Sequence, residues 1–124
     1  MASPDLHRFL FDGLPVRGAL VRLSSCWREA LACRADAGAF PGPVRALLGE
    51  MTAAGMLMQS NLKFDGALVL QLHGDGPLKL AVAEVRSDFR FRATAQVIDS
   101  IAEDASLQQM VNVAGGGRCA ITLD

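Results

Sequence analysis

The chain has 124 residues, a formal net charge of −1 at pH 7, and 51% hydrophobic against 20% charged residues, the balance of one folded domain rather than of a disordered or heavily charged chain. Its 12 lysines and arginines are scattered without a dense run, which argues against a nucleic-acid footprint, and no apolar stretch reaches the roughly 18 residues of a membrane span. The first dozen residues carry Asp5 and lack the basic start and long apolar run of a secretory signal, so the expectation is a cytoplasmic protein.

Leu6 to Phe11 is short and apolar, Asp12-Gly13-Leu14-Pro15 has turn chemistry, and Val16 to Leu23 is β-branched and aliphatic; two strands joined by a turn are predicted. Ser24 or Ser25 offers a cap for a short helix through Trp27, Ala30 and Leu31, fading near Asp36 to Gly38. Pro41-Gly42-Pro43 stops the chain, and Pro43 suits the first position of the next helix because its missing N–H needs no partner there. From Val44 the residues Leu47, Leu48, Met51, Ala54, Met58 and Leu62 follow helical spacing, with Thr52 and Gln59 among the few polar residues on a narrow wet face.

After Lys63 the period becomes two. Leu68, Leu70 and Leu72 share one face of a strand from Ala67 to His73, and Gly74-Asp75-Gly76-Pro77 supplies residues able to take positive φ in a tight reversal. Leu78 to Val85 returns as the second strand of a β-hairpin. Phe89 to Val97 alternates, with Phe89, Phe91, Ala93, Ala95 and Val97 on a buried face and Arg90, Arg92, Thr94 and Gln96 on a wet one. Asp99 to Asp104 is a loop, Ser106 to Val111 a helical turn or two, and Cys119 to Leu123 a strand after Gly115-Gly116-Gly117. The fold class is α+β: antiparallel sheets with a long packed central helix and a shorter helix, in a single domain spanning residues 1–124.

Few residues offer chemistry. His7 and His73 have no sequence neighbour that makes a metal or triad site, and Asp65 and Asp75 sit in turn sequences that favour Asp for backbone hydrogen bonding. An enzyme pairing His73 with either aspartate is the weakest reading. The two glycine clusters lack the lysine and the flanking elements of a phosphate loop. Cys26, Cys33 and Cys119 show no C-x-x-C or C-x-C spacing and read as ordinary thiols, while Arg90 and Arg92 read as a solvated sheet face. Met51, Met56 and Met58 suit either an irregular core or a surface that accepts varied apolar partners.

The run Leu62-Lys63-Phe64-Asp65-Gly66, followed by Gln71-Leu72-His73-Gly74-Asp75-Gly76-Pro77-Leu78, resembles the signature of the 33 kDa chaperonin (HslO) family of redox-regulated heat-shock holdases. Val16-Arg17-Gly18, Pro41-Gly42-Pro43-Val44 and the Ala53 to Leu62 region support the likeness. It runs through nearly the whole chain and is weakest from Asp99 onward. Arg92-Ala93 departs from the family's Arg-Gly pair, so a close backbone approach there is not expected.

The resemblance implies the N-terminal core of an ATP-independent holdase that binds unfolded client proteins through apolar surface and works as a homodimer, with no catalysis. It also implies a C-terminal zinc domain whose oxidation switches the chaperone on; that domain's motifs lie outside these residues, so no metal and no cofactor are expected in this chain. Phe64, Asp65, Gly66, Gln71, Gly74, Asp75, Gly76 and Pro77 are the structural motif residues, and Met56, Met58 and Phe64 the candidate client contacts. The alternative is a module that only oligomerises, using an open strand edge around Ile121.

Overall fold

A computed structural model describes residues 4–34 and 38–124, with all of their side chains except those of Cys33 and Arg34. The order is β1 (Asp5–Leu10), β2 (Arg17–Arg22), α1 (Ser25–Arg34), α2 (Gly42–Ser60), β3 (Ala67–His73), β4 (Leu78–Arg86), β5 (Phe91–Val97), α3 (Leu107–Val111) and β6 (Arg118–Leu123). The α+β class holds, with every sheet pairing antiparallel. Two sheets form: the ribbon β1-β2 and a four-stranded sheet in the order β5-β4-β3-β6. Asp36, where the first helix was expected to fade, lies outside the described residues.

Period-two patterning sets the sheet's inner face. Across it run the rows Leu123-Leu68-Val85-Phe91, Ile121-Leu70-Ala83-Ala93 and Cys119-Leu72-Ala81-Ala95. Alanine on β4 and β5 keeps the middle of this face thin. The long helix α2 lies there and buries Val44, Leu47, Leu48, Met51 and Met56. Gly55 makes the approach possible, since a Cβ at that position would stand 2.9 Å from Val85 Cγ2. Gly55→Val is therefore expected to destabilise the chain by about 1–3 kcal/mol, read as a lower denaturation midpoint at unchanged slope.

The helix differs from its sequence reading at both ends and on one face. Pro41 is the N-cap, so Pro43 occupies the second helical position, and Asn61 caps the C-terminus, leaving Leu62 outside and 37% exposed. Thr52 and Gln59, expected on the wet face, are both buried. A 3.6-residue repeat from Val44 carries the core stripe through Leu48, Met51, Gly55 and Gln59; the hydroxyl of Thr52 is satisfied within the helix and the amide nitrogen of Gln59 by the sheet, while Gln59 Oε1 is buried without a partner among the described residues. Thr52 Oγ1 donates to the Leu48 carbonyl at 2.8 Å, and Gln59 Nε2 donates to the carbonyls of Val85 at 2.8 Å and Gly66 at 3.2 Å. Gln59 thereby ties the end of α2 to β4 and to the residue that leads into β3.

A second cluster joins the ribbon to the body. Cys26 of α1, Met56, Val85 and Phe91 are buried together, with Val21, Leu23, Trp27, Ala30 and Phe89 around them. Trp27 stacks on Phe91 at 6.2 Å between centroids. Phe89 adopts φ 64°, a left-handed conformation unusual for a bulky side chain, which turns the chain and starts β5 at Phe91 rather than at Phe89. The ring packed in this cluster holds that conformation in place.

Candidate functional site

Two features stand out above the packed core, an interlocked pair of loops and an exposed apolar ribbon.

The loops are Gly74-Asp75-Gly76-Pro77 and the segment between α3 and β6. Ser106 caps α3 in a reciprocal capping box with Gln109, which sets so short a helix in place, and Met110 and Val111 are buried. The Asp75 N–H donates to the Val111 carbonyl at 3.1 Å. In return the Asp75 carboxylate accepts from the N–H groups of Val113 at 2.8 Å, Ala114 at 3.1 Å and Gly116 at 2.7 Å. These bonds, that from Gly116 foremost, hold its carboxyl below the ordinary carboxylate range. Neither Gly74 nor Gly76 has positive φ, in contrast to the expectation for the turn; the positive-φ glycines among the described residues are Gly13, Gly38 and Gly115. Gly74 is required by proximity instead, because a Cβ there would collide with the Leu78 carbonyl oxygen and lie 3.0 Å from Val111 Cα. The Pro77 carbonyl accepts from the Ile98 N–H at 2.9 Å and ties in the end of β5.

The other motif residues hold the far end of β3. Asp65 Oδ1 accepts from Ser87 Oγ at 2.8 Å, and Gly66 accepts from the Ser87 N–H at 2.9 Å. Asp65 and Asp75 flank opposite ends of a seven-residue strand and cannot act as a pair. His73 has Gln71 Oε1 as its partner at 3.1 Å and meets neither aspartate in a hydrogen bond. Thus Gln71, Gly74, Asp75, Gly76 and Pro77 gather at one end of the hairpin, while Phe64, Asp65 and Gly66 gather at the other.

Of the candidate client contacts, Met56 is fully buried and would reach a partner only if α2 lifted off the sheet. Met58 is half-buried against the main cluster, and Phe64 is half-buried beside Gly66. The large apolar surface lies elsewhere. In the ribbon Phe9 and Phe11 are 6.0 Å apart between centroids, and the Phe9 ring lies over its cross-strand partner Gly18. Leu10, Leu14 and Leu20 are 80%, 60% and 64% exposed, and Phe9, Phe11 and Val16 are exposed beside them. The tip, Leu10 to Arg17, borders a shallow cleft of about 520 Å³. The signal for this surface was the unbroken run Phe9-Leu10-Phe11, which puts apolar side chains on both faces of a two-stranded ribbon.

Two of the three cysteines have described side chains, and they lie in different surroundings. Cys26 is buried and burial pushes its thiol up, away from the thiolate a metal needs, whereas Cys119 is exposed on β6. No group of three His, Cys, Asp or Glu residues among those described could hold a metal ion. No helix among them is long and apolar enough to cross a membrane.

The sequence has known relatives. A 33 kDa chaperonin from Chromobacterium violaceum is 50% identical over 119 residues, covering 96% of this chain and 38% of the relative. Those from Serratia proteamaculans and Neisseria gonorrhoeae are each 42% identical, over 124 and 118 residues, covering 99% and 94% of this chain. The chain spans about two-fifths of their length, 40% and 37% respectively. The model of the Hsp33 protein family matches residues 5–124, and the chain therefore belongs to that family.

Proposed function

We propose that this chain is the core of an ATP-independent holdase of the cytoplasm, which keeps unfolding proteins from aggregating by covering their apolar segments. The observation that carries the reading is the ribbon. A two-stranded hairpin is marginal alone in water, and contiguous exposed apolar surface of this kind marks an interaction site. Phenylalanine and leucine on both faces of a narrow projecting element give a surface selective for apolar character and tolerant of sequence, as a client of no fixed identity requires. Half-buried Phe64 and Met58 are secondary contacts in this reading. Redox activation and zinc are assigned in this reading to sequence beyond these residues, since the three cysteines lack C-x-x-C and C-x-C spacing and, among the described ones, Cys26 is buried and Cys119 exposed. The chain acts as a homodimer.

The test is light scattering of a heat-unfolding client enzyme with the chain at a few-fold molar excess. Suppressed scattering is expected; undiminished scattering sinks the holdase reading. Leu10→Ser, Leu14→Ser and Leu20→Ser combined should reduce protection several-fold with little change in Tm, because the three side chains contribute little to the core.

A further inference from the structure

We infer that the end of the β4-β5 hairpin binds a phosphate-bearing anion, held by the guanidinium groups of Arg86, Arg90 and Arg92. The site shares no residue with the ribbon and stands or falls apart from the holdase reading.

The strand register brings the three arginines together. Glu84 faces Arg92 and Val85 faces Phe91 across the two strands. The Arg86 N–H donates to the Arg90 carbonyl at 2.9 Å, so Arg86 and Arg90 form the next opposed pair. With Val85 and Phe91 on the inner face, alternation puts Glu84, Arg86, Arg90 and Arg92 on the outer one. Like charges directly opposite each other destabilise a sheet. The connecting loop adds strain, since Phe89 holds φ 64°. Asp88 fixes the residue that follows, accepting from the Arg90 N–H at 3.1 Å and pairing with Arg90 Nε at 3.2 Å. A like-charge pair and a strained residue thus coincide at one place, the pattern of a site shaped for a ligand rather than for stability.

The guanidinium groups border an open cleft. Its volume is about 390 Å³, and Glu84, Arg86, Arg90, Phe91 and Arg92 line it, which places it at the small end of the range for ligand sites. Glu84 engages Arg92 through a single oxygen, Oε2, at 2.8 Å from both Nε and Nη2. That orients the guanidinium and leaves Nη1 for a further acceptor. Asp88 likewise takes up only the Nε of Arg90, and Arg86 makes no ion pair among the described residues. Three cations against two carboxylates leave the cleft positive. A carboxylate presents two oxygens in one plane and is satisfied by one guanidinium fork, whereas a phosphate presents its oxygens in three dimensions and accepts from several forks at once. Three guanidinium groups converging from two strands and a loop therefore fit a phosphate.

Calorimetric titration of the 124-residue chain at low ionic strength, where surface charge is least screened, tests the site with two sources of the group, pyrophosphate and glycerol phosphate. Both should bind, and the tighter of them tells whether inorganic phosphate or a phosphate ester is preferred. Citrate, of comparable charge without phosphate, should bind at least about tenfold more weakly. Arg86→Ser and Arg90→Ser should each weaken pyrophosphate binding about tenfold without lowering Tm, because each relieves the repulsion between them. Glu84→Gln, which removes the carboxylate competing for Arg92, should tighten it several-fold. Arg118→Ser, on the opposite edge strand of the sheet, should leave it nearly unchanged. Failure of both phosphate compounds to bind overturns the inference. So does binding that citrate matches, or binding that weakens as much with Arg118→Ser as with Arg86→Ser, the response of diffuse surface charge.

Discussion

Gly74→Ala is expected to remove most of the chain's stability, by about 3 kcal/mol or more. The added methyl meets main-chain atoms on two sides, the Leu78 carbonyl and the Val111 Cα, and neither can turn away as a side chain would. Relief requires either opening the hairpin, where the Gly74 N–H donates to the Lys79 carbonyl at 2.9 Å, or pulling α3 off the turn and exposing buried Met110 and Val111. A urea titration followed by the fluorescence of Trp27 reads the loss. A midpoint within error of the parent chain's would contradict the packing described for the turn.

Asp75→Asn is expected to release the loop between α3 and β6 while leaving the rest of the sheet in place. Three N–H groups share the carboxylate, and an amide presents one oxygen and a donor where two acceptors stood. Amide exchange at Val113, Ala114 and Gly116 should accelerate at least about tenfold, with the amides of β4 unchanged. The pH dependence has a definite sign. A folded-state pKa below the unfolded value means that the clamp contributes fully above the unfolded pKa and loses its contribution as pH falls through the folded one. The loop is therefore held at neutral pH and loosens only in acid, below about pH 4; in Asp75→Asn this acid step should vanish.

Much of the fold was legible because single periods dominate its segments. Ala67 to His73 is a strand with the predicted bounds, and the alternation in Phe91 to Val97 gave the buried face correctly. Long-range partners were not legible. Gln59 looks like a wet-face residue until the carbonyls of Val85 and Gly66 are in place, and the left-handed turn at Phe89 goes with a half-buried ring packed against residues far away in sequence, Cys26 and Met56 among them. The motif turn shows the same limit. Composition suggested positive φ at Gly74 and Gly76, whereas the constraint comes from Val111 and Met110, more than thirty residues on. Asp75 was legible as a residue that bonds backbone, but Gly116 as its partner was not.

The candidate site was legible as a family motif and less so as a surface. The polarisable side chain of Met56 suits a surface for varied apolar partners, but helical phase places it in the core. The ribbon residues were read only as strands, since their exposure is set by how little of β1 and β2 rests on the body. With apolar groups on both faces, a two-stranded ribbon buries them all only where both faces are covered.

The claim that this ribbon holds clients is tested most directly by site-specific photocrosslinking. A benzophenone side chain would be placed at position 10 on the ribbon or at position 96 on the outer face of β5, and each protein irradiated with a heat-unfolded client. The account predicts adducts from position 10 and few or none from position 96. Adducts from position 96 with none from position 10 would contradict it.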